Sequence, residues 1–217
     1  RTLAARVHGL ILKGAPFDKK LVGRTYDGLR IEPLLTPRAD ARPVSGRPPA
    51  EPWLVMQRVD HPDPAKANAE ALHDLENGAR GLSLVFAGAT GAYGYGLEAS
   101  EAALARALEG VYLDAGIAIE LDLSPQAKSA PDHLAAVVKE RGIDPATTDL
   151  RFGYDPLGAM ARFGGTPIPW RDLGALFAQM IGNLHAQGFR GPFAVADGRL
   201  IHNAGGAEAQ ELAFVLA

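Results

Sequence analysis

Residues 81–96 read GLSLVFAGATGAYGYG, an apolar β-prone run followed by a loop with glycine at 88, 91, 94 and 96. Gly94, Gly96 and Ala99 fit the G-x-G-x-x-G/A spacing of a dinucleotide loop, with Glu120 and Asp122 about twenty residues on as ribose ligands. That fingerprint needs its first glycine at the strand end, so that the turn aims backbone amides at a pyrophosphate. Here seven residues separate Phe86 from Gly94. The preferred reading is a βα connection in a larger α/β scaffold, with nucleotide binding through Gly94 and Gly96 as the lesser alternative. No G-x-x-x-x-G-K-[ST] run occurs.

Outward from this loop, short apolar runs alternate with longer helical ones, the pattern of a parallel sheet with crossover helices. WLVMQRV, GLSLVF, IAIELDL, DLRFGY and PFAVADG are the strand candidates. Helices are expected near 64–78, 98–112, 130–141 and 171–187, with a last one from about 206. About five βα units fit an open doubly wound sheet or the first part of a (β/α)8 TIM-type barrel. Periodicity does not choose between them.

Residues 1–52 differ in character from residues 53–217. Residues 1–47 hold ten Lys or Arg against four acids, whereas the remainder holds twelve against twenty-one. A basic arm on an acidic body favours contact with an acidic surface, its own or a partner's. A helical pattern near 2–12 precedes a hairpin turning at Tyr26-Asp27-Gly28, and five prolines in 37–52 mark an extended linker. The first residue is Arg and the AEAQELAFVLA helix pattern ends without a cap, so a piece of a longer polypeptide is expected.

Composition excludes several classes. A net charge of −3 gives no footprint for nucleic acid, and no apolar run reaches the length of a membrane span. The chain has no cysteine, which removes thiolate chemistry and fits a cytoplasmic setting. Its six histidines form no H-x-x-x-H pair, so no metal site is expected. Asp155, before Pro156 and Gly158, stands where a strand gives way to a helix. An N-cap role suits it better than catalysis.

The closing segment DGRLIHNAGGAEAQELAFVLA resembles the fifth-strand region of the acyl-CoA-binding barrel in the adenosylcobalamin-dependent methylmalonyl-CoA mutase family, above all in Asn203-Ala204-Gly205 and Glu208 to Leu216. KGAPFDKKLVGRTYDGLRIEPLL, Pro52-Trp53 and NGARGLSL match its entry segment, first strand and second-strand approach in the same order. The resemblance implies a partial TIM barrel over 53–217, truncated at the C-terminus, behind an arm over 1–52 that wraps a partner. It implies an isomerase complex of propionate metabolism, a heterodimer that interconverts methylmalonyl-CoA and succinyl-CoA with adenosylcobalamin.

Residue by residue, the catalytic equipment is missing. A family tyrosine precedes the Pro-Trp pair, yet no tyrosine lies between Tyr26 and Tyr93. A family histidine stands five residues before the glycine of the Ala-Gly turn, where this chain has Leu200, with His202 a pleat further if the segment is a strand. The loop AGATGAYGYG carries no charged or imidazole group where catalytic chains have both. The likeness is therefore to the non-catalytic small, or β, subunit type, partnered by a catalytic large subunit or by another copy of itself. An acyl-CoA-binding segment that contributes to catalysis is the alternative. No catalytic residue is expected, and Gly91, Tyr93, Asp155, His202 and Asn203 are the candidate barrel-mouth residues. The family's cobalamin loop is D-x-H-x-x-G, of which only His202-x-x-Gly205 is present, so the cofactor is not expected to bind this segment alone.

Overall fold

The computed structural model describes Lys13, residues 15–42 and residues 52–217. The helix expected at 2–12 lies outside the described residues, as does the 43–51 part of the linker expected over 37–52. The chain divides into two compact units, one of Arg1–Glu51 with Ile201–Phe214 and one of Pro52–Leu200 with Val215–Ala217.

In the first unit, a short helix α1 (Phe17–Leu21) leads into β1 (Gly23–Arg24), which pairs antiparallel with β2 (Arg30–Ile31). The hairpin turns where Tyr26-Asp27-Gly28 indicates. Gly28 takes the left-handed φ of 80° that this turn requires, and Thr25 and Leu29 close it by backbone and hydroxyl bonds. Arg30 reaches Asp18 at 2.9 Å and also pairs with Glu32. α1 is absent from the sequence expectations because five residues are too few to show a helical period.

The second unit is built on β3 (Met56–Val59), β4 (Gly81–Val85), β5 (Ala118–Asp122) and β6 (Asp149–Arg151), all parallel and adjacent in sequence order. α2 (Pro64–Glu76), α3 (Glu101–Ala107) and α4 (Ala130–Glu140) form the crossovers. Asp63 caps α2 by accepting from the Ala65 amide, with Pro64 at the first position, and Ser100 caps α3 through the Ala103 amide. α3 is shorter than the 98–112 pattern, since the chain turns at Gly110 with φ 76°.

Register decides which face is buried. Leu82, Ile119 and Leu150 lie in one row, and Leu84 and Leu121 in the next. With Val59 and Phe152 they pack in a single cluster with Ala67 and Ala71 of α2, Leu104 and Ala107 of α3, and Leu134 and Val138 of α4. Buried Asn68 on α2 donates to the Ala107 and Glu109 carbonyls, and Arg141 donates to Val111 and Leu108. These two side chains donate to carbonyls at and just beyond the end of α3, which have no intrahelical N–H donor.

Three expectations change. PFAVADG is not a fifth strand: Tyr154 and Ala194 make one parallel bridge, with Phe152 donating to Pro192 and Tyr154 to Phe193. Pro192 has no amide to extend the ladder. WLVMQRV is strand only from Met56. The segment at 199–203 is a helix, α7 (Arg199–Asn203), so Leu200 and His202 do not alternate across a pleat. Between β6 and α7 run α5 (Pro156–Phe163) and α6 (Trp170–Ala186), and α8 (Glu208–Leu216) follows. Among the described residues no helix is long and apolar enough to cross a membrane.

Candidate functional site

The face of the sheet opposite the helices carries a polar row, Arg58, Ser83, Glu120 and Arg151, aligned by the register of β3 to β6. Period-two alternation gives each strand this second face. Toward the C-terminal strand ends it opens into a cavity of about 690 Å³. Ser83, Glu120 and Arg151 line it from the strands, Ser124 and Tyr154 from the loops beyond, Phe177 and Met180 from α6.

An ion-pair network stands at this end of the sheet. Arg199 donates to both oxygens of Asp122 at 2.8 Å and pairs with Asp197 at 2.8 Å. The hydrogen bonds to Asp122 and then Asp197 raise the Arg199 pKa, so the guanidinium stays charged. Burial alone would push the Asp197 carboxyl up, but hydrogen bonds from the Arg199 side chain and amide overcome it and hold the carboxyl below its usual range. Asp155 shifts the other way, its pKa raised by burial against the lowering effect of the Gly158 and Asp197 amides.

The glycine-rich loop is tied into the same network. The Gly91 carbonyl accepts from Arg58 at 2.6 Å, and Arg58 also pairs with Asp60 at 2.7 Å. Arg162 donates to the Gly88 carbonyl at 2.9 Å. The loop then returns to β4: Leu97 donates to Val85, Ala87 donates to Leu97, and Gly96 donates to Asp60. Gly96 has φ 118°, and a Cβ there would stand 2.5 Å from the Ala87 nitrogen. Glycine at 96 thus serves a close backbone crossing. The amides of Ala89, Ala92, Tyr95 and Gly96 all donate to protein carbonyls, and α3 begins only at Glu101. The nucleotide alternative fails on this geometry, since no strand-end glycine opens into a helix N-terminus.

The expected mouth residues are only partly brought together. Gly91 is buried against the network; a Cβ there would lie 3.0 Å from Arg199 Nη1 and 3.3 Å from Arg58 Nη1. Asp155 lines the cavity, and its side chain accepts from the Gly158 amide at 2.7 Å, the N-cap of α5 with Pro156 in the first turn. Tyr93, with φ 50°, is exposed on the loop and does not line the cavity. His202 and Asn203 close α7 and belong to the other compact unit, where exposed His202 faces Glu211 at 3.4 Å. Leu200, in the place of the family histidine, does line the cavity. Arg58, Arg151 and Arg199 escaped the sequence reading. The signal that could have found two of them is the polar residue in the second-face position of consecutive strands, Arg58, Ser83, Glu120 and Arg151.

No family model matches this chain. It is 33% identical over 226 residues to the methylmalonyl-CoA mutase small subunit of Streptomyces virginiae, an alignment covering 98% of this chain and 34% of that protein. It is 31% identical over 161 residues to the methylmalonyl-CoA mutase small subunit of Porphyromonas gingivalis (strain ATCC BAA-308 / W83), covering 67% of this chain and 24% of that protein. The chain therefore spans about a third of the first relative's length and about a quarter of the second's. With agreement along nearly its whole length, this chain belongs to the methylmalonyl-CoA mutase family and resembles its small subunits.

Proposed function

We propose that this chain is the arm and barrel-forming part of a mutase small subunit, a non-catalytic scaffold for a catalytic large subunit. The intact complex then interconverts methylmalonyl-CoA and succinyl-CoA in the cytoplasm, with adenosylcobalamin. The observation that carries the reading is Leu200 in the cavity wall, where the resemblance calls for a histidine to hold the thioester carbonyl. Beside it, Arg199 is fully engaged by Asp122 and Asp197. At positions 199 and 200 the cavity wall therefore offers no free donor to charge that develops in a transition state.

A partial barrel, preceded by an arm over residues 1–52, is the architecture that suits this role. Support comes from four parallel strands that follow sequence order, because a doubly wound sheet reverses its order at the ligand crevice. The described residues do not fit the corrin's lower side. His202 sits in a short helix facing Glu211 rather than on an extended loop, and no aspartate precedes it at the family spacing. The cofactor is accordingly assigned to the assembly and not to this segment.

Calorimetric titration tests the proposal. The chain should bind a purified catalytic large subunit, should give no heat with methylmalonyl-CoA, and should form no succinyl-CoA when supplied with adenosylcobalamin. Turnover by the chain alone would overturn it. Leu200→His alone should restore nothing, since the family tyrosine is still missing.

A further inference from the structure

The charges that line the cavity are unevenly matched. Glu120, Asp122, Asp155 and Asp197 line it, as do Lys128, Arg151, Arg162 and Arg199. Arg199 is engaged by Asp122 and Asp197, and Arg151 by Asp149. Arg162 donates to the Gly88 carbonyl and, like Lys128, is exposed. Two half-buried carboxylates are left without a cation among the described residues. Glu120 makes no hydrogen bond or ion pair, although Arg151 is its partner in the register of β5 and β6. Asp155 accepts only the Gly158 and Asp197 amides, at 2.7 and 3.4 Å.

This imbalance selects the ligand class. Glu120 and Asp122 stand two residues apart on one face of β5, roughly 6.6 Å along the strand, so Glu120 lies deeper than the Arg199 network at the strand end. An anion reaching that depth gains no free guanidinium and meets an unpaired carboxylate, whereas a cation offsets the desolvation of Glu120. The raised pKa of Asp155, caused first by burial, marks the same lack of positive charge. Among the described residues no three carboxylate or imidazole groups converge to hold a metal ion. The volume, about 690 Å³, is that of a small-molecule pocket, and Leu123, Phe177, Met180 and Leu200 give it an apolar wall that a hydrated ion would not use.

We propose that this cavity binds a small primary amine, whose ammonium donates to the Glu120 carboxylate and whose apolar body lies along Leu123, Phe177, Met180 and Leu200. The site does not rest on the scaffold role: failure to bind a large subunit would leave it standing, and failure of the site would leave the scaffold role standing.

Three probes of equal chain length, hexylamine, hexanamide and hexanoate, titrated into the full chain near pH 7 by ligand-observed NMR, test the site. Hexylamine should bind at least about tenfold more tightly than either of the others, the size of one charge-assisted hydrogen bond. Glu120→Gln keeps the shape of the side chain and removes its charge. It should weaken hexylamine about tenfold and leave hexanamide within roughly twofold. Circular dichroism checks that the variant folds; if it does not, the order of the three probes on the unaltered chain decides alone. Hexanamide or hexanoate binding as tightly as hexylamine would overturn the proposal, as would hexylamine affinity unchanged in folded Glu120→Gln. No binding of any probe would overturn it as well and would leave Glu120 to solvent.

Discussion

The two faces of the four-stranded sheet have the same backbone and opposite chemistry. The helix-facing rows, Leu82, Ile119 and Leu150 with Leu84 and Leu121, are closed by α2, α3 and α4 into one apolar cluster. The other face presents Arg58, Ser83, Glu120 and Arg151, opens to a cavity, and is knit by ion pairs rather than by packing. Burial on the first face contributes free energy for every apolar atom removed from water. Half-exposed charges on the second contribute little each, because solvent screens them. Stability should therefore reside in one face and any ligand chemistry in the other.

The largest effect should come from breaking the packed face. Phe152 is fully buried, stacked on Phe193 at 5.6 Å and edge-on to Phe189 at 5.3 Å. Phe152→Ala should cost about 3–5 kcal/mol, read as a lowered urea midpoint. A loss under about 1 kcal/mol would mean that the core does not carry the fold.

Next in size is the Arg199 network, where the open face holds low-exposure carboxylates. The Asp122 and Asp197 side chains are only 11% and 15% exposed, while Arg199 is 46% exposed. Arg199→Ala leaves the two carboxylates without their cation. A fully buried pair would lose about 3–5 kcal/mol; with Arg199 half in solvent, on the order of 1–2 kcal/mol is expected. In the wild-type chain the Asp197 carboxyl sits below its unfolded value, so its contribution is present above the usual carboxylate pKa and is lost as pH falls through the lowered one. The deficit of Arg199→Ala should accordingly shrink on acidification. A deficit independent of pH would point to lost packing instead.

Sequence pattern reveals one of these faces well and the other poorly. GLSLVF, IAIELDL and the α2 and α4 periods announce a buried parallel sheet because burial leaves repeated apolar residues in the chain. The Asp155 cap was legible for a similar reason, a side chain acting three residues away. The open face depends on distant partners. Arg199 meets Asp122 across 77 positions and Arg162 meets Gly88 across 74. No local period records such pairs. PFAVADG misled because its composition is β-like, while its pairing with the loop after β6 reduces to a single bridge. Leu200 was placed by resemblance, but its helix was not foreseen.

Asp155 tests where the two faces meet, since it both caps α5 and lines the cavity. Asp155→Ala should cost about 1 kcal/mol through the lost cap, whereas Asp155→Asn keeps a capping oxygen and should cost much less. Burial raises the Asp155 pKa, so the folded state holds its proton more tightly than the unfolded chain does. Its contribution to stability then falls as pH rises from the unfolded value through the raised one. Asp155→Asn should remove that decline. A pH profile unchanged by the substitution would place the carboxylate in solvent.

The smallest effect is the sharpest test of the contrast. Arg151 pairs with Asp149 at 3.2 Å, with side chains 32% and 41% exposed, on the same strand that supplies buried Leu150 to the other face. The two neighbours differ by one residue in sequence and by a whole face in environment. Arg151→Gln removes the charge and keeps most of the side-chain bulk. The expected change is under about 0.5 kcal/mol, the size of a solvent-screened pair, and added salt should leave it near zero. Leu150→Ala, measured beside it, should cost about 2–5 kcal/mol. Arg151→Gln losing as much as Leu150→Ala in urea denaturation would show the second face to be as desolvated as the first. The division of labour between the faces would then fail.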